Sequence, residues 1–203
     1  MSPYQPRKSG GVAGRRARPR RARAGRSERA AATQVTIEPL GPAHAPALQA
    51  LASDPAVLAT TNLPSPYPPD GAEAFIRETT RRRQAGVEFV FAIIAGGRPI
   101  GCCGFKGVGG EPRSAELGYW LGQPFWDRGY ATAAGRQVLA FGFGPLGLAR
   151  VTADCLLTNR ASRRVLEKLG FRFTHEGPPR PDQRQEPGDV LAFFELPREA
   201  WGG

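Results

Sequence analysis

The sequence predicts an α+β fold with a mixed, mostly antiparallel central sheet and flanking helices. Segments with the two-residue alternation of strands are interleaved with segments that carry the apolar stripes of helices. The 203 residues are enough for about one domain with a sizeable core. Between Leu121 and Arg150 the chain is long enough for a helical crossover, so the strands on either side are expected to run parallel.

The first half of the domain is predicted to hold a strand, two helices and a β-hairpin. The patterns place these elements at Val35–Leu40, Pro42–Ser53, Asp70–Gln84, Glu88–Ala95 and Arg98–Val108. Asp70 is a residue type that caps helices, and Gly86 is suited to ending one. The pair Gly96-Gly97 favours a two-residue hairpin turn between the two strands.

The second half is predicted to add strand, helix, strand, helix and two closing strands. These elements are Ser114–Leu121, a helix after Gly129, Arg150–Leu156, Asn159–Leu169, Phe171–His175 and Asp189–Leu196. Apolar residues recur at steps of three and four in the first of these helices, which predicts one buried face made of Ala131, Ala134, Val138 and Phe141. Gly170 follows the second helix and is suited to ending it.

The turn that ends in Gly129 is the most informative motif of the chain. It follows a strand and opens a helix, and the first turn of a helix leaves its amides unpaired while the helix dipole favours negative charge there. Gly129 has no Cβ to hold a phosphate away, and Ala131 keeps the next approach narrow. The motif therefore predicts a site for a cofactor that carries a diphosphate.

Three blocks of the sequence resemble the GNAT superfamily of acetyl-CoA-dependent N-acetyltransferases. They are Ala115–Leu121, Trp126–Thr132 and Asn159–Phe171, in the family's order and spacing. The nearest likeness is to the branch that acetylates the N-termini of ribosomal proteins. The resemblance covers about residues 34–199. It implies the GNAT fold, in which a parallel pair of central strands splays apart, with acetyl-CoA as acetyl donor and an amine as acceptor.

The same resemblance implies which residues hold the donor. The diphosphate would be bound by the glycine turn and its helix, through the amides of Arg128, Gly129, Tyr130 and Ala131 and the hydroxyl of Thr132. Trp126 stands where many relatives have Gln or Arg, as it does in the ribosomal-protein branch, and is either a ligand contact or an ordinary buried aromatic residue.

The resemblance also implies which residues contact the pantetheine arm and the thioester: they lie at the end of a strand and at the start of a helix. Amides near Trp120 and Leu121 would lose their sheet partners at the splay and donate to the pantetheine and the thioester oxygen, which is a large catalytic term where such donors are preorganised. Asn159 would hydrogen-bond the pantetheine arm, serve as a plain N-cap, or do both.

Two residues are candidates for proton transfer. Glu116 lies in an otherwise apolar strand, where desolvation would raise its pKa toward that of a useful base; the alternative is a glutamate paired with an arginine of a neighbouring element. Many relatives carry a tyrosine acid where this chain has Leu166, and in the ribosomal-protein branch a serine matching Ser162 has that role. Glu176 and Asp182 are weaker candidates for base or substrate contact.

The cysteines indicate neither a metal site nor covalent catalysis. Cys102, Cys103 and Cys155 are too few for a disulfide framework or a zinc site, and no histidine motif supports an acyl-enzyme. Buried structural cysteines and a reducing cytoplasm are the expectation. No apolar run approaches the ~20 residues of a membrane span, and nothing indicates an oligomeric state.

The charge of the chain is concentrated near its start. Residues 1–33 hold ten Lys and Arg against the single acid Glu28, which leaves +1 for the remainder of a chain of +10. This segment has almost nothing apolar to bury and is predicted to be disordered. It is either an arm with weak affinity for RNA or the ribosome, or a solvated arm without a partner, or sequence upstream of the true start.

Three functions therefore stand as alternatives. The first is N-acetyl transfer from acetyl-CoA to a primary amine by direct attack. The second is a ribosome- or RNA-associated binding protein that acts through its basic tail. The third is an acyl-CoA-binding domain without turnover, suggested by the absence of the tyrosine acid.

Overall fold

The structure, a computed structural model, describes residues 34–181, 183 and 188–203. The predictions for the tail at 1–33 and for Asp182 fall outside these residues. Within them, a single sheet is covered by helices on both faces. The strands are β1 Thr36–Pro39, β2 Phe89–Ala95, β3 Arg98–Gly109, β4 Ser114–Leu121, β5 Arg150–Leu156, β6 Arg172–Gly177 and β7 Leu191–Pro197. The α-helices are α1 Ala45–Ala52, α2 Pro55–Leu58, α3 Gly71–Gln84, α4 Tyr130–Phe143 and α5 Arg160–Lys168.

The sheet has seven strands in the order β1-β2-β3-β4-β5-β7-β6. Every neighbouring pair is antiparallel except β4 and β5, which are parallel and joined through α4. This confirms the predicted mixed, mostly antiparallel sheet and the parallel pair that the crossover requires. The last strand in sequence, β7, lies between β5 and β6.

The parallel pair is joined over only a short stretch. The register runs from Ser114 opposite Arg150 to Glu116 opposite Thr152, and there the pairing ends. Both strands continue on their other sides, β4 along β3 as far as Leu121 and β5 along β7. The sheet is therefore split beyond Glu116, which is the splay that the family resemblance implies.

The two faces of the sheet are buried by different helices. Cys102 packs in a cluster with residues of α1 and α3, whereas its neighbour Cys103 packs in the larger core with residues of α4 and α5. Because successive side chains of a strand point to opposite faces, adjacent cysteines can both be buried only where the sheet is covered on both sides. Both are at most 2% exposed, so β3 is the doubly covered centre of the molecule.

The predicted helix and turn signals agree with the structure at most positions. Gly96 and Gly97 have φ of 56° and 73° in the hairpin turn, and Gly170 has φ of 92° after α5. Asp70 does occupy the N-cap of α3, but its side chain makes no capping hydrogen bond there. Of the predicted buried face of α4, Ala134 and Val138 are buried, whereas Ala131 and Phe141 are only partly buried. Phe141 packs its ring against Phe89 and Phe91.

The four-residue helix α2 was not predicted. It is too short for an apolar period to reveal, and it forms because Asp54 accepts a hydrogen bond of 2.8 Å from the amide of Ala56.

Among the described residues, no helix is both long enough and apolar enough to span a bilayer.

Candidate active site

A cleft of about 500 Å³ opens where β4 and β5 separate. Its walls come from these strands, from the start of α4 and from α5, and it reaches both faces of the sheet. Nine of the ten predicted site residues line it: Glu116, Trp120, Leu121, Gly129, Tyr130, Ala131, Thr132, Asn159 and Ser162. Arg128 is exposed and lies outside the lining, and so does the weaker candidate Glu176 on β6.

The start of α4 presents unpaired amides to the cleft. Gly129 is the N-cap, with φ of 79° in the left-handed region, and no side chain caps the helix. The first intrahelical bond runs from the amide of Ala133 to the carbonyl of Gly129, so the three amides before Ala133 have no partner within the helix. Asp127 is also left-handed, with φ of 57°. This turn can surround an anion with main-chain N–H groups at the positive end of the helix dipole.

The main chain of β4 also faces the cleft, at every second residue. The amide of Gly122 donates to the carbonyl of Ile100 on β3 over 2.9 Å. In an antiparallel pair the hydrogen-bonding direction alternates, so the amide of Leu121 points away from β3 and into the split. The same alternation turns the amide of Trp120 toward Cys102 of β3, its partner in the register. The amide of Leu121 therefore faces the split and that of Trp120 faces β3, so donation to a thioester stays a prediction for Leu121 and has no support for Trp120.

Trp126 is hydrogen-bonded to the last residue of β4. Its indole Nε1 donates to the carbonyl of Leu121 over 2.8 Å, and the ring is partly buried against the core. The bond fixes the last residue of the strand relative to the glycine turn. The structure therefore gives Trp126 a supporting contact with the strand and places part of it in the cleft wall.

Ser162 is held at the cleft by α5 and by Tyr119. Asn159 caps the helix, with its Oδ1 accepting from the amide of Ser162 over 3.0 Å. The hydroxyl of Tyr119 lies 2.7 Å from Ser162 Oγ and 3.2 Å from the carbonyl of the same residue. Leu166, one turn further on, is fully buried in the core. The hydroxyl groups in this wall are thus those of Ser162 and Tyr119.

Sequence reasoning missed Tyr119. Burial raises the pKa of its hydroxyl well above the ordinary value, and the hydrogen bond with Ser162 offsets only part of that effect. Tyr119 therefore stays protonated at neutral pH and is able to donate. In the sequence, Tyr119 stands three residues after Glu116, so its side chain is expected on the opposite face of the same strand. That position is the feature from which its role could have been inferred.

Glu116 lies at the vertex of the split and is held by two cations. Its Oε1 is 2.9 Å from Lys106 Nζ on the adjacent strand, and its Oε2 is 2.6 Å from Arg180 Nη2. Desolvation raises the pKa of the Glu116 carboxyl above its ordinary value, Lys106 and Arg180 act in the opposite direction, and nearby Asp154 raises it further. Both alternatives for this residue are therefore present together, a pairing with arginine and a raised pKa.

Asp154 is the second carboxylate of the cleft, and it was not predicted. Its side chain is 11% exposed and lies 2.9 Å from the same Nη2 atom of Arg180. Its Oδ1 accepts from Gln183 Nε2 over 2.9 Å. Asp154 and Arg180 come from a strand and from the loop between β6 and β7, so only the folded chain brings them together.

The three cysteines are buried thiols, as expected. Burial raises the pKa of Cys103 to about 12 and that of Cys102 still further. Cys155 lines the cleft, and burial raises its pKa although Ser162 hydrogen-bonds it. Thiols with raised pKa values are poor nucleophiles at neutral pH. Among the described residues, no group of three or more His, Cys, Asp or Glu side chains is placed to hold a metal.

Comparison with known proteins decides the family. The model of the acetyltransferase (GNAT) domain matches residues 34–172, which is more than half of the chain. The chain belongs to the GNAT acetyltransferase family. Uncharacterized N-acetyltransferase YoaA of Bacillus subtilis is 38% identical over 73 residues, which are 36% of this chain and 41% of YoaA. The GNAT chain spans about half the length of the curated relatives that it matches.

Solved structures show the same fold. RimJ of Mycobacterium smegmatis, in complex with a CoA-disulfide, superposes with a TM-score of 0.76 at 21% identity, over 85% of this GNAT chain and 86% of RimJ. Ribosomal-protein-S5-alanine acetyltransferase from Vibrio fischeri gives a TM-score of 0.71 at 15% identity, over 83% and 96% of the two chains. These likenesses confirm the predicted fold class, which the chain shares with a ribosomal-protein acetyltransferase.

Proposed function

We propose that this protein transfers an acetyl group from acetyl-CoA to a primary amine by direct attack in a ternary complex. The acceptor is a protein N-terminus or a small molecule. The observation that carries the proposal is the uncapped start of α4 beside the split between β4 and β5. It combines a binding site for a diphosphate with a gap in the sheet through which a thioester can meet an amine.

The start of α4 holds the donor. Amides of Tyr130, Ala131 and Thr132 lie in the cleft wall without partners inside the helix, and the diphosphate of acetyl-CoA supplies the anion that fits them. Gly129 adopts a left-handed conformation that brings the main chain close to the ligand. Asn159 uses Oδ1 as the cap of α5, which leaves its side-chain N–H groups for the pantetheine arm.

The split strand polarises the thioester. The amide of Leu121 is directed into the opening, and Trp126 fixes that residue by its bond to the Leu121 carbonyl. A fixed N–H group aimed at the developing oxyanion needs no reorganisation during the reaction, which is the usual origin of a large electrostatic contribution.

Glu116 and Ser162 move the protons. Glu116 takes a proton from the incoming ammonium, directly or through water, and its raised pKa improves the match to an amine. As the C–N bond forms and the C–S bond breaks, Ser162 gives its hydroxyl hydrogen to the departing sulfur atom and regains a proton from solvent in the open cleft, while Tyr119 donates to Oγ and so turns the serine hydrogen to the sulfur. Tyr119 is a positioning residue in this scheme. This pair favours turnover over the alternative of a binding domain without an acid.

Gly129→Glu tests the donor site. A carboxylate about 4 Å from a diphosphate group is repelled by about 4 kcal/mol at an effective dielectric constant of 20, so the Kd for acetyl-CoA should rise on the order of a thousandfold. Calorimetric titration with acetyl-CoA measures binding. Release of free CoA in the presence of a panel of amines and N-terminal peptides measures transfer.

Gly147→Glu is the matched control. Gly147 also has a positive φ, of 63°, and open space around it, but it lies in the loop before β5 and away from the cleft lining. It introduces the same charge and the same backbone strain. Equal loss of affinity in both variants would attribute the effect to strain, and wild-type protein that binds neither acetyl-CoA nor CoA would refute the proposed function.

A further inference from the structure

One nitrogen atom in the cleft bridges two carboxylates. Arg180 Nη2 is 2.6 Å from Glu116 Oε2 and 2.9 Å from Asp154 Oδ2. The two carboxylate side chains are 18% and 11% exposed, so this is a sheltered contact at the vertex of the split. A cation is therefore held between the two acids where the strands begin to separate.

The guanidinium of Arg180 leaves one carboxylate oxygen of Asp154 without a hydrogen bond from the described residues. Asp154 Oδ2 is buried and receives no hydrogen bond from the described residues, although Arg180 Nη2 lies within 2.9 Å. The planar guanidinium gives its N–H groups fixed directions, and one of them serves Glu116. An ammonium group has three hydrogens in a tetrahedral arrangement and can donate to both carboxylates from the same point. The unsatisfied oxygen thus matches an alkylammonium better than it matches the arginine.

The two faces of the sheet separate this position from the donor. Tyr119 belongs to the face covered by α4 and α5, on the side of Ser162. Glu116 is an odd number of residues from Tyr119 in the same strand, so its side chain lies on the other face. Trp120 is on that face too and packs near α1 and α3. An amine bound between Glu116 and Asp154 therefore approaches the opening from the face opposite the start of α4.

We propose that Glu116 and Asp154 form the subsite for the acceptor's primary ammonium group, and that Arg180 occupies this subsite as an internal competitor which the acceptor displaces. The inference rests on the proposed transfer to an amine, and it defines the substrate class as one that arrives as a primary alkylammonium. Arg180 comes from the loop between β6 and β7, whereas Lys106 is part of the sheet. Displacement therefore needs movement of a loop side chain and leaves the strands in place.

Arg180→Met removes the competitor and retains an apolar stem near the ring of Phe193, over which the guanidinium lies at 5.9 Å. An internal cation that fills the subsite about 90% of the time lowers the apparent affinity for an external cation about tenfold, so the variant should bind n-butylammonium about tenfold more tightly than wild type. Binding is measured from the rise in unfolding temperature with n-butylammonium chloride at constant ionic strength. Acetyl transfer to n-butylamine is measured in parallel.

Three controls isolate the subsite. Arg150→Met removes an exposed arginine of β5, 4.0 Å from Glu195, and should leave binding unchanged. The double variant Asp154→Asn with Arg180→Met should lose the gain, because one carboxylate is no longer charged. Tetramethylammonium has the same charge and no N–H groups, so it should not distinguish wild type from variant. Arg180→Gln keeps the polarity of the side chain and serves if Arg180→Met does not fold.

Tighter n-butylammonium binding in Arg180→Met that depends on Asp154 supports the subsite, with a KM for n-butylamine that falls by a similar factor. Affinity equal to or weaker than wild type in both Arg180 variants would overturn it, as would an equal gain for tetramethylammonium. A gain in binding without transfer to any amine would refute the proposed function and leave the ammonium subsite standing.

Discussion

Replacing Tyr119 with phenylalanine removes one oxygen atom from the cleft wall and breaks its 2.7 Å hydrogen bond to Ser162. A neutral hydrogen bond contributes about 1 kcal/mol net, and about 1.4 kcal/mol is tenfold in rate. If that bond orients Ser162 toward the departing sulfur, kcat should fall about five- to tenfold with little change in KM. Ser162→Ala removes the acid itself and should lower kcat about a hundredfold.

The double variant decides whether the two residues act as a unit. Once Ser162 has no hydroxyl, the hydroxyl of Tyr119 has nothing to orient, so Tyr119→Phe with Ser162→Ala should be about as slow as Ser162→Ala alone. Single-turnover release of CoA measures the chemical step separately from product release. Urea unfolding checks that each variant is folded under the assay conditions.

Tyr67→Phe is the matched control, because Tyr67 is also partly buried but lies outside the cleft lining. Ser162→Thr keeps a hydroxyl and should recover part of the lost rate. If Tyr119→Phe slows the Ser162→Ala enzyme by the same factor as it slows the wild type, the two residues act independently and the positioning role is wrong.

Two further predictions concern Glu116 and the packing of β3. Because the kcat/KM profile reports groups of the free enzyme, its acidic limb should have a midpoint above the ordinary glutamate value and disappear in Glu116→Gln. Lys106→Met removes a cation that lowers the pKa of Glu116, so it should move this limb to higher pH; a limb that stays in place in both variants contradicts the assignment. Gly104→Ala should lower the free energy of unfolding by about 2–4 kcal/mol, because its Cβ would lie 2.4 Å from the carbonyl oxygen of Phe89. Gly118→Ala, with no atom within 4 Å of the new Cβ, is its control in urea unfolding, and an equal loss in both would show that the contact does not matter.

Much of the fold follows from short-range rules. The Gly96-Gly97 turn, the Asn159 cap and the glycine after α5 depend on conformations that neighbouring residues specify, and the structure has all three. The parallel pairing of β4 and β5 followed from the length of chain between them. The position of β7 between β5 and β6 depends on pairings across the sheet, for which no local pattern exists.

The direction of main-chain groups in β4 shows a second limit. Both Trp120 and Leu121 were expected to donate into the splay, yet only alternate amides of a strand point to the same side. Which set of alternate amides faces the split depends on the pairing with β3, where the amide of Gly122 donates a hydrogen bond to the carbonyl of Ile100. A pattern of apolar residues specifies which face is buried, and it contains no information about the direction of the amides.

The residues that sequence reasoning missed lie in contacts between distant segments. Tyr119 and Ser162 are 43 positions apart, on a strand and on a helix that follows the next strand. Asp154 meets Arg180 only because Arg180, in the segment between β6 and β7, is brought back to β5 in the folded chain. Motif spacing located Ser162 but neither Asp154 nor Arg180, and these contacts became visible only when the tertiary arrangement was known.

The two interpretations of Glu116 were posed as alternatives, a base or the partner of an arginine, and the structure makes them compatible. Lys106 lies directly opposite on β3, so its main chain is fixed by the sheet and its ammonium group can stay on the carboxylate during a reaction. Arg180 reaches the same carboxylate from a loop, and its withdrawal would free one oxygen atom while Lys106 keeps the other. A carboxylate that keeps its contact with Lys106 and can lose its contact with Arg180 is able to bind an ammonium group and then accept its proton. A glutamate paired permanently on both oxygens, or on neither, would be less suited to both steps.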